Sequence, residues 1–167
     1  MLRPILPRKP SHIMGILNLT PDSFSDGGLH TADELPVFIS QMIEANPSII
    51  DIGGQSTAPG REEISAQEEL GRILPAIQCI RQQFTKGTGP AISIDTYRAS
   101  VAKEALANGA DMINDVSGGM LDPEVLRTVA QAGSTICLMH MRGDPRNMSS
   151  LTSYPHGLIP TVAAELL

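Results

Sequence analysis

No stretch of the 167-residue chain reaches the roughly 18 consecutive apolar residues that a membrane-spanning helix needs, so no membrane partner is expected. The first ten residues, Met1-Leu-Arg-Pro-Ile-Leu-Pro-Arg-Lys-Pro10, are too broken by proline to form a signal-peptide core. Positive charge is also scarce. Twelve Lys and Arg stand against 18 Asp and Glu, a net charge of -6, which argues against a nucleic-acid or anionic-membrane surface. An anionic substrate would need arginines gathered locally. Only two cysteines are present, Cys79 in a helical pattern and Cys137 in an apolar run. They are expected as buried thiols in a reducing compartment, with no disulfide between them. The expected location is the cytoplasm. A mitochondrial address is the alternative, because the leader carries three basic residues and no acid. There is no Cys-x-x-Cys pair, no His pair at metal-ligand spacing, no Gly-x-Ser-x-Gly elbow and no phosphate-binding glycine fingerprint after any strand. Zinc chemistry, serine hydrolysis and dinucleotide binding therefore have no support.

What the chain does have is a regular alternation. At 41% hydrophobic residues it has material for one core, read as a single domain over residues 12–167 behind a Pro-rich leader, residues 1–11. Five short runs rich in Ile, Leu and Met read as strands: His12 to Leu19, Ser48 to Gly53, Ala91 to Asp95, Asp111 to Val116 and Thr135 to Met139. They lack polar alternation, so both faces are expected to be covered. Helical patterns lie between them. Thr31-Ala-Asp-Glu34 and Ser65-Ala-Gln-Glu68 fit the capping box, and Asp122-Pro123 supplies an N-cap with proline behind it. Asn108-Gly109 and Ala132-Gly133 read as stops. Five βα units in succession predict an α/β fold with a parallel sheet. Two closures fit: an open sheet with helices on both faces, or part of a (β/α)8 barrel. A full barrel takes about 250 residues, and the chain stops in a sixth helical pattern, Ile159 to Leu167.

The C-terminal ends of these strands carry the chemistry. They hold Asn18, Thr20, Asp22 and Asp26; then Gln55, Ser56, Thr57 and Arg61; then Asp95, Thr96 and Arg98; then Asn114, Asp115 and Ser117; then His140, Arg142 and Arg146. Most of these polar residues are also what any βα loop would hold to cap its helix. Asp95 and Asn114 are different, because they interrupt apolar strands, where an unpaired polar group costs about 1–3 kcal/mol. A carboxylate beside a carboxamide suits a heterocycle edge with adjacent N–H donors and acceptors. The rim arginines suit phosphate, and Asn18 with Asp22 and Asp26 suits a hydrated hard cation such as Mg2+. His12 reads as structural, His30 and His156 as loop residues, and His140 alone is placed for the site. Met139 could line an apolar slot for a flat ring.

Five segments then become familiar: Met14-Gly-Ile-Leu-Asn-Leu-Thr-Pro-Asp-Ser-Phe-Ser-Asp-Gly-Gly28, Asp51-Ile-Gly-Gly-Gln-Ser-Thr-Ala-Pro-Gly60, Ser93-Ile-Asp-Thr96, Ile113-Asn-Asp115 and Leu138-Met-His-Met-Arg142. Together they resemble dihydropteroate synthase, a pterin-binding (β/α)8 barrel enzyme of folate biosynthesis. The leader and second loop look similar to the fungal enzymes, where this domain is fused behind other folate-pathway domains. The resemblance implies a partial barrel of about five βα units and an alkyl-transferring activity. In that reaction 6-hydroxymethyl-7,8-dihydropterin diphosphate and 4-aminobenzoate give 7,8-dihydropteroate and diphosphate. It further implies Mg2+ with Asn18 as its ligand, and Asp95 and Asn114 on the pterin edge. Thr57 and Pro59 would border the diphosphate and aminobenzoate region, and Asp22 and Asp26 would belong to the first loop. A homodimer is implied for the full-length protein.

Two departures from the family pattern stand out. Ala58 replaces the Arg that many members carry after the Ser-Thr of the second loop, which leaves Arg61 as the compensating cation. The family's Asp on strand six, Ser-Arg-Lys on strand seven and Arg-x-His on strand eight have no counterpart here. The chain alone is therefore expected to be unstable and to lack turnover. Two alternatives are a catalytically incomplete pterin-binding fragment and the pterin domain of a methyltetrahydrofolate-dependent methyltransferase. The latter would share the Asp and Asn clamp without needing the Thr20 to Gly28 loop.

Overall fold

All five strands run parallel and stand in chain order, each hydrogen-bonded to the next, in the computed structural model that describes residues 6, 11–20, 34–56, 63–143 and 147–166. They are β1 (Met14–Asn18), β2 (Ile49–Gly53), β3 (Ala91–Asp95), β4 (Met112–Asp115) and β5 (Thr135–Leu138). Between and after them come α1 (Leu35–Glu44), α2 (Ala66–Gln83), α3 (Ala99–Ala107), α4 (Glu124–Gln131), a 3-10 turn at Met148–Ser150 and α5 (Leu158–Leu166). The chain-order sheet decides between the two closures. A doubly wound sheet reverses its strand order at a switch point and covers both faces with helices. Here one core joins Leu17, Ile50, Ile52, Ile92, Ile94 and Ile113 to Ile39, Ile73, Ile77, Ile80, Val101, Val125 and Val129, so α1 to α4 cover a single face. This is the wall of a (β/α)8 barrel over five units.

The expectation that both faces of every strand are covered holds for β2 through β4 and fails at the edges. Met14 and Ile16 are 40% and 65% exposed, and β5 is nowhere fully buried. The reason is periodicity. Leu17 faces the helices, so Met14, Ile16 and Asn18 face the barrel interior, where the described chain puts nothing opposite them. Cys137 lies on that same inner face of β5 and is exposed, and Cys79 is half-buried; both are free thiols, so the expected pair of buried cysteines is corrected.

The local signals act as read, with two exceptions. Ser65 Oγ accepts the Glu68 N–H at 3.1 Å and starts α2. At α4 the helix begins one residue later than expected: Pro123 takes the capping position, and Asp122 before it accepts from Glu124 N through Oδ1 and from Ala99 N through Oδ2, bracing the starts of both α4 and α3. The other exception is α1. It begins at Leu35 with Glu34 in the capping position and no side-chain cap, and Pro36 in its first turn. Thr31, the expected cap, lies outside the described residues. Gly133 ends α4 at φ +62°, a conformation that other side chains resist. Among the described residues no helix is long and apolar enough to cross a membrane.

Candidate functional site

Inner-face residues form rows across the sheet, because pairing in register repeats the same side of each strand. Asn18, Gly53, Asp95, Asn114 and Cys137 make the uppermost row, at the C-terminal ends. Ile16, Asp51, Ser93, Met112 and Thr135 make the row beneath it. Asp95 and Asn114 are therefore direct cross-strand neighbours on the concave side, as their interruption of apolar strands implied. Gly53 keeps the space between Asn18 and Asp95 open. A Cβ there would stand 3.2 Å from Asn18 Oδ1 and 3.6 Å from Asp95 Oδ2.

The floor is short of partners. Asp51 Oδ2 accepts from Asn114 Nδ2 at 3.1 Å, but Asp51 Oδ1, Ser93 Oγ and Asp95 Oδ1 are buried atoms with no hydrogen bond. Each orphan of this kind costs about 1–3 kcal/mol, and such groups persist where a ligand meets them. The Asp95 carboxyl is pushed up to about 7, first by its own burial and then by the charges of Asp51, Glu69 and Asp115. A carboxyl so placed gains by meeting N–H donors. Asp51 and Ser93 belong to the site, although neither was a candidate. The signal that found Asp95 was present for Asp51 too, a carboxylate flanked by Ile50 and Ile52.

Other rim residues are taken up by the fold. Asp115 is fully buried and accepts from Ser117 N, Ser117 Oγ and Gly119 N, which builds the turn after β4. Thr96 Oγ1 accepts from Arg98 N, an ordinary loop bond. Arg98, read as a phosphate candidate, is engaged throughout. It is paired with Glu69, donates to Gln55 Oε1 and Ile64 O, binds Glu63 at 2.8 Å and lies 5.0 Å from the Tyr97 ring centre. His140 Nε2 sits 2.6 Å from Glu165 Oε2, and Arg142 bonds Ser153 O and stacks on Tyr154. These contacts tie the loop after β5 to α5 and leave His140 without a free role in the row. His12 bonds Ser48 Oγ, a structural contact as expected. Met139 is exposed just past β5.

Thr57, Pro59, Arg61, Asp22, Asp26, His30 and Arg146 lie outside the described residues. Among the described ones no three His, Cys, Asp or Glu side chains gather as a metal cage. Asn18 instead offers one hard oxygen beside the Asp95 carboxyl, which fits an ion that keeps most of its water and leans on substrate phosphate. The cleft at the opposite end of the sheet, bounded by Asn46, Pro47, Phe84 and Asp111, holds a single carboxylate among its described residues, and Arg81 already pairs it.

Comparison with known proteins identifies the family. The chain is 52% identical over 149 residues to a dihydropteroate synthase of Synechocystis, covering 87% of this chain and 50% of that protein. It is 46% identical over 159 residues to a folic acid synthesis protein of Pneumocystis carinii, covering 95% of this chain and 21% of that one. A crystal structure of dihydropteroate synthase from Clostridium difficile, determined in the presence of pteroic acid, superposes with a TM-score of 0.77 at 36% identity, covering 93% of this chain and 56% of that chain. The chain thus spans half or less of the length of these two curated relatives. The sequence model of the family described as pterin binding enzyme matches residues 14–167, and with that match this chain belongs to the pterin-binding enzyme family.

Proposed function

We propose that this chain supplies the pterin-gripping wall of a dihydropteroate synthase. In that reaction the amine nitrogen of 4-aminobenzoate bonds to the methylene carbon of 6-hydroxymethyl-7,8-dihydropterin diphosphate. The carbon–oxygen bond to diphosphate breaks, and the amine's surplus proton leaves with the diphosphate. One observation carries the reading: Asp95, with an unpartnered buried oxygen, stands in register beside Asn114 at the C-terminal mouth. A carboxylate accepts two parallel N–H bonds from the amino and ring N–H groups of a pterin, and the carboxamide meets the adjoining polar atoms. Inner-face placement holds the ring at the strand ends, where the second substrate can approach its methylene.

Thr57, Pro59 and Arg61 are assigned to the diphosphate and aminobenzoate side, Met139 to the ring slot, and Asp22 and Asp26 to the first loop. Asn18 Oδ1 is the ligand this chain would give Mg2+, which when bound neutralises charge on the departing diphosphate. The domain is taken as residues 12–167, with residues 1–11 as leader, and fusion to other folate-pathway domains fits the short coverage of the Pneumocystis protein.

Exposed inner faces on β1 and β5 favour a second reading, pterin binding without turnover by this chain alone. Calorimetry with pteroate and with the pterin diphosphate plus Mg2+, beside an assay of dihydropteroate formation, tests both. Binding that Asp95→Asn weakens by about 100-fold supports the pterin wall, given two charge-assisted bonds lost. Turnover decides between the readings. No pteroate binding by the unmutated chain sinks both.

A further inference from the structure

Asn114 is useful to a ligand only if its carboxamide presents a defined end, because the group is nearly symmetric in shape and opposite in hydrogen-bonding sense at its two tips. A rotation of half a turn about its terminal torsion would put a donor where an acceptor had been. Something must hold it. On the inner face, the described side chain bonded to that amide is Asp51, whose Oδ2 accepts from Nδ2 at 3.1 Å.

The two residues are not on neighbouring strands. Asp51 is on β2 and Asn114 on β4, and the bond passes over β3. Ser93 is what makes this passage possible. It pairs in register with Asp51 on one side and with Met112 on the other, and its small side chain leaves the floor low enough for the carboxylate to reach across. Asp51 itself is 6% exposed, so the acceptor end of this bond does not swing freely into solvent. A carboxylate oxygen accepts, so the amide end that faces it is the nitrogen. One N–H is then used, and the other N–H together with the carbonyl oxygen is left for whatever occupies the mouth.

We infer that Asp51 is a positioning residue that acts through Asn114, fixing the carboxamide so that it offers the ligand one donor and one acceptor in a set order. The inference rests on the pterin-wall reading and deepens it. It assigns selectivity between heterocycles that differ only in the order of donors and acceptors along one edge. Asp51 does not touch the ring in this arrangement; its contribution is the alignment of the group that does.

The test uses the whole chain with pteroate as probe, together with pterin and isopterin, in which the amino and oxo groups are exchanged. Asp51→Ala is expected to weaken pteroate binding by about 10- to 30-fold, the range of one well-placed hydrogen bond, and to narrow the preference for pterin over isopterin. Asp51→Asn keeps an acceptor oxygen and is expected to restore binding to within about threefold of the unmutated chain, because orientation and not charge is what is lost. In an Asn114→Ala background, Asp51→Ala is expected to add less than about threefold, since the two act as one unit. Equal losses in Asp51→Ala and Asp51→Asn, or fully additive losses with Asn114→Ala, overturn the inference.

A ligand-free readout separates it from the pterin-wall reading. The side-chain NH2 of Asn114, followed by 15N-labelled NMR, is expected to show one protected hydrogen that is lost in Asp51→Ala and kept in Asp51→Asn. If the unmutated chain binds no pteroate but this signature behaves as stated, the pterin reading falls and the Asp51–Asn114 alignment stands. An Asn114 NH2 signal indifferent to Asp51→Ala in a folded protein ends the inference whatever binds.

Discussion

Arg98 and Asp95 stand on the same strand-to-helix turn, yet one is saturated with partners and the other is starved of them. Arg98 gathers Glu69, Glu63, Gln55 and the Ile64 carbonyl, and so clamps the residues before and after the second loop to the start of α3. Glu69 is 1% exposed and is paired within that cluster. The inner floor holds Asp51, Ser93 and Asp95, each with an oxygen that bonds nothing. Side chains of similar polarity thus do different work. A satisfied network holds the chain in place, and an unsatisfied one leaves polar atoms unpaired at a cost to stability.

Breaking the saturated side should have the largest effect. Arg98→Met leaves Glu69 buried and uncompensated, and is expected to cost about 3–5 kcal/mol in urea denaturation. A loss under about 1 kcal/mol would mean that the two clusters do not differ as described.

The starved side should respond in the opposite direction. Asp95 has its carboxyl raised from 3.8 to about 7 in the folded chain. Folding therefore favours the protonated form. The stability this group contributes is full below about pH 4 and is lost as pH rises through about 7. Asp95→Asn is expected to be more stable than the unmutated chain at pH 8, by about 2–4 kcal/mol, with the gain shrinking toward zero at pH 4. Chemical denaturation at the two pH values checks this. A gain that is the same at both would place the origin elsewhere than in the Asp95 proton.

Ligand binding sharpens the comparison further. On the proposed pterin wall the carboxylate is the acceptor, so pteroate affinity is expected to rise as pH increases through about 7, and to lose that dependence in Asp95→Asn. Calorimetry at pH 6 and pH 8 reads the difference. The smallest effect is expected at Ser93, whose hydroxyl bonds nothing. Ser93→Ala removes a buried hydroxyl without a partner and should raise stability by about 1 kcal/mol, the low end of the cost of such a group.

Much of this molecule is readable in one dimension. The apolar runs, the Ser65 and Asp122 start signals and the Gly109 and Gly133 stops depend on neighbours within a few residues, and the elements formed where those signals lie. Asp95 and Asn114 were legible because a polar residue inside an apolar strand is anomalous wherever it occurs. Asp51 carries the same anomaly, a carboxylate between Ile50 and Ile52, but it stands within the second-loop motif, where polar residues are ordinary. Arg98 was legible as a rim cation but not as a spent one. Its partners lie 29 and 43 residues away in sequence, at Glu69 and Gln55.

Sequence by itself determined which segments became strands and helices, and which positions carried hydrogen-bonding groups at the strand ends. Period and capping are local, so the chain needs no distant contact to express them. Tertiary structure decided that the strands stand in chain order with helices on one side, that Asp51 meets Asn114 across β3, and that Arg98 is used up while Asp95 is not. Those outcomes depend on which side of each pleat faces the concave side and on what stands opposite, and that is set only when strands far apart in the chain come into register.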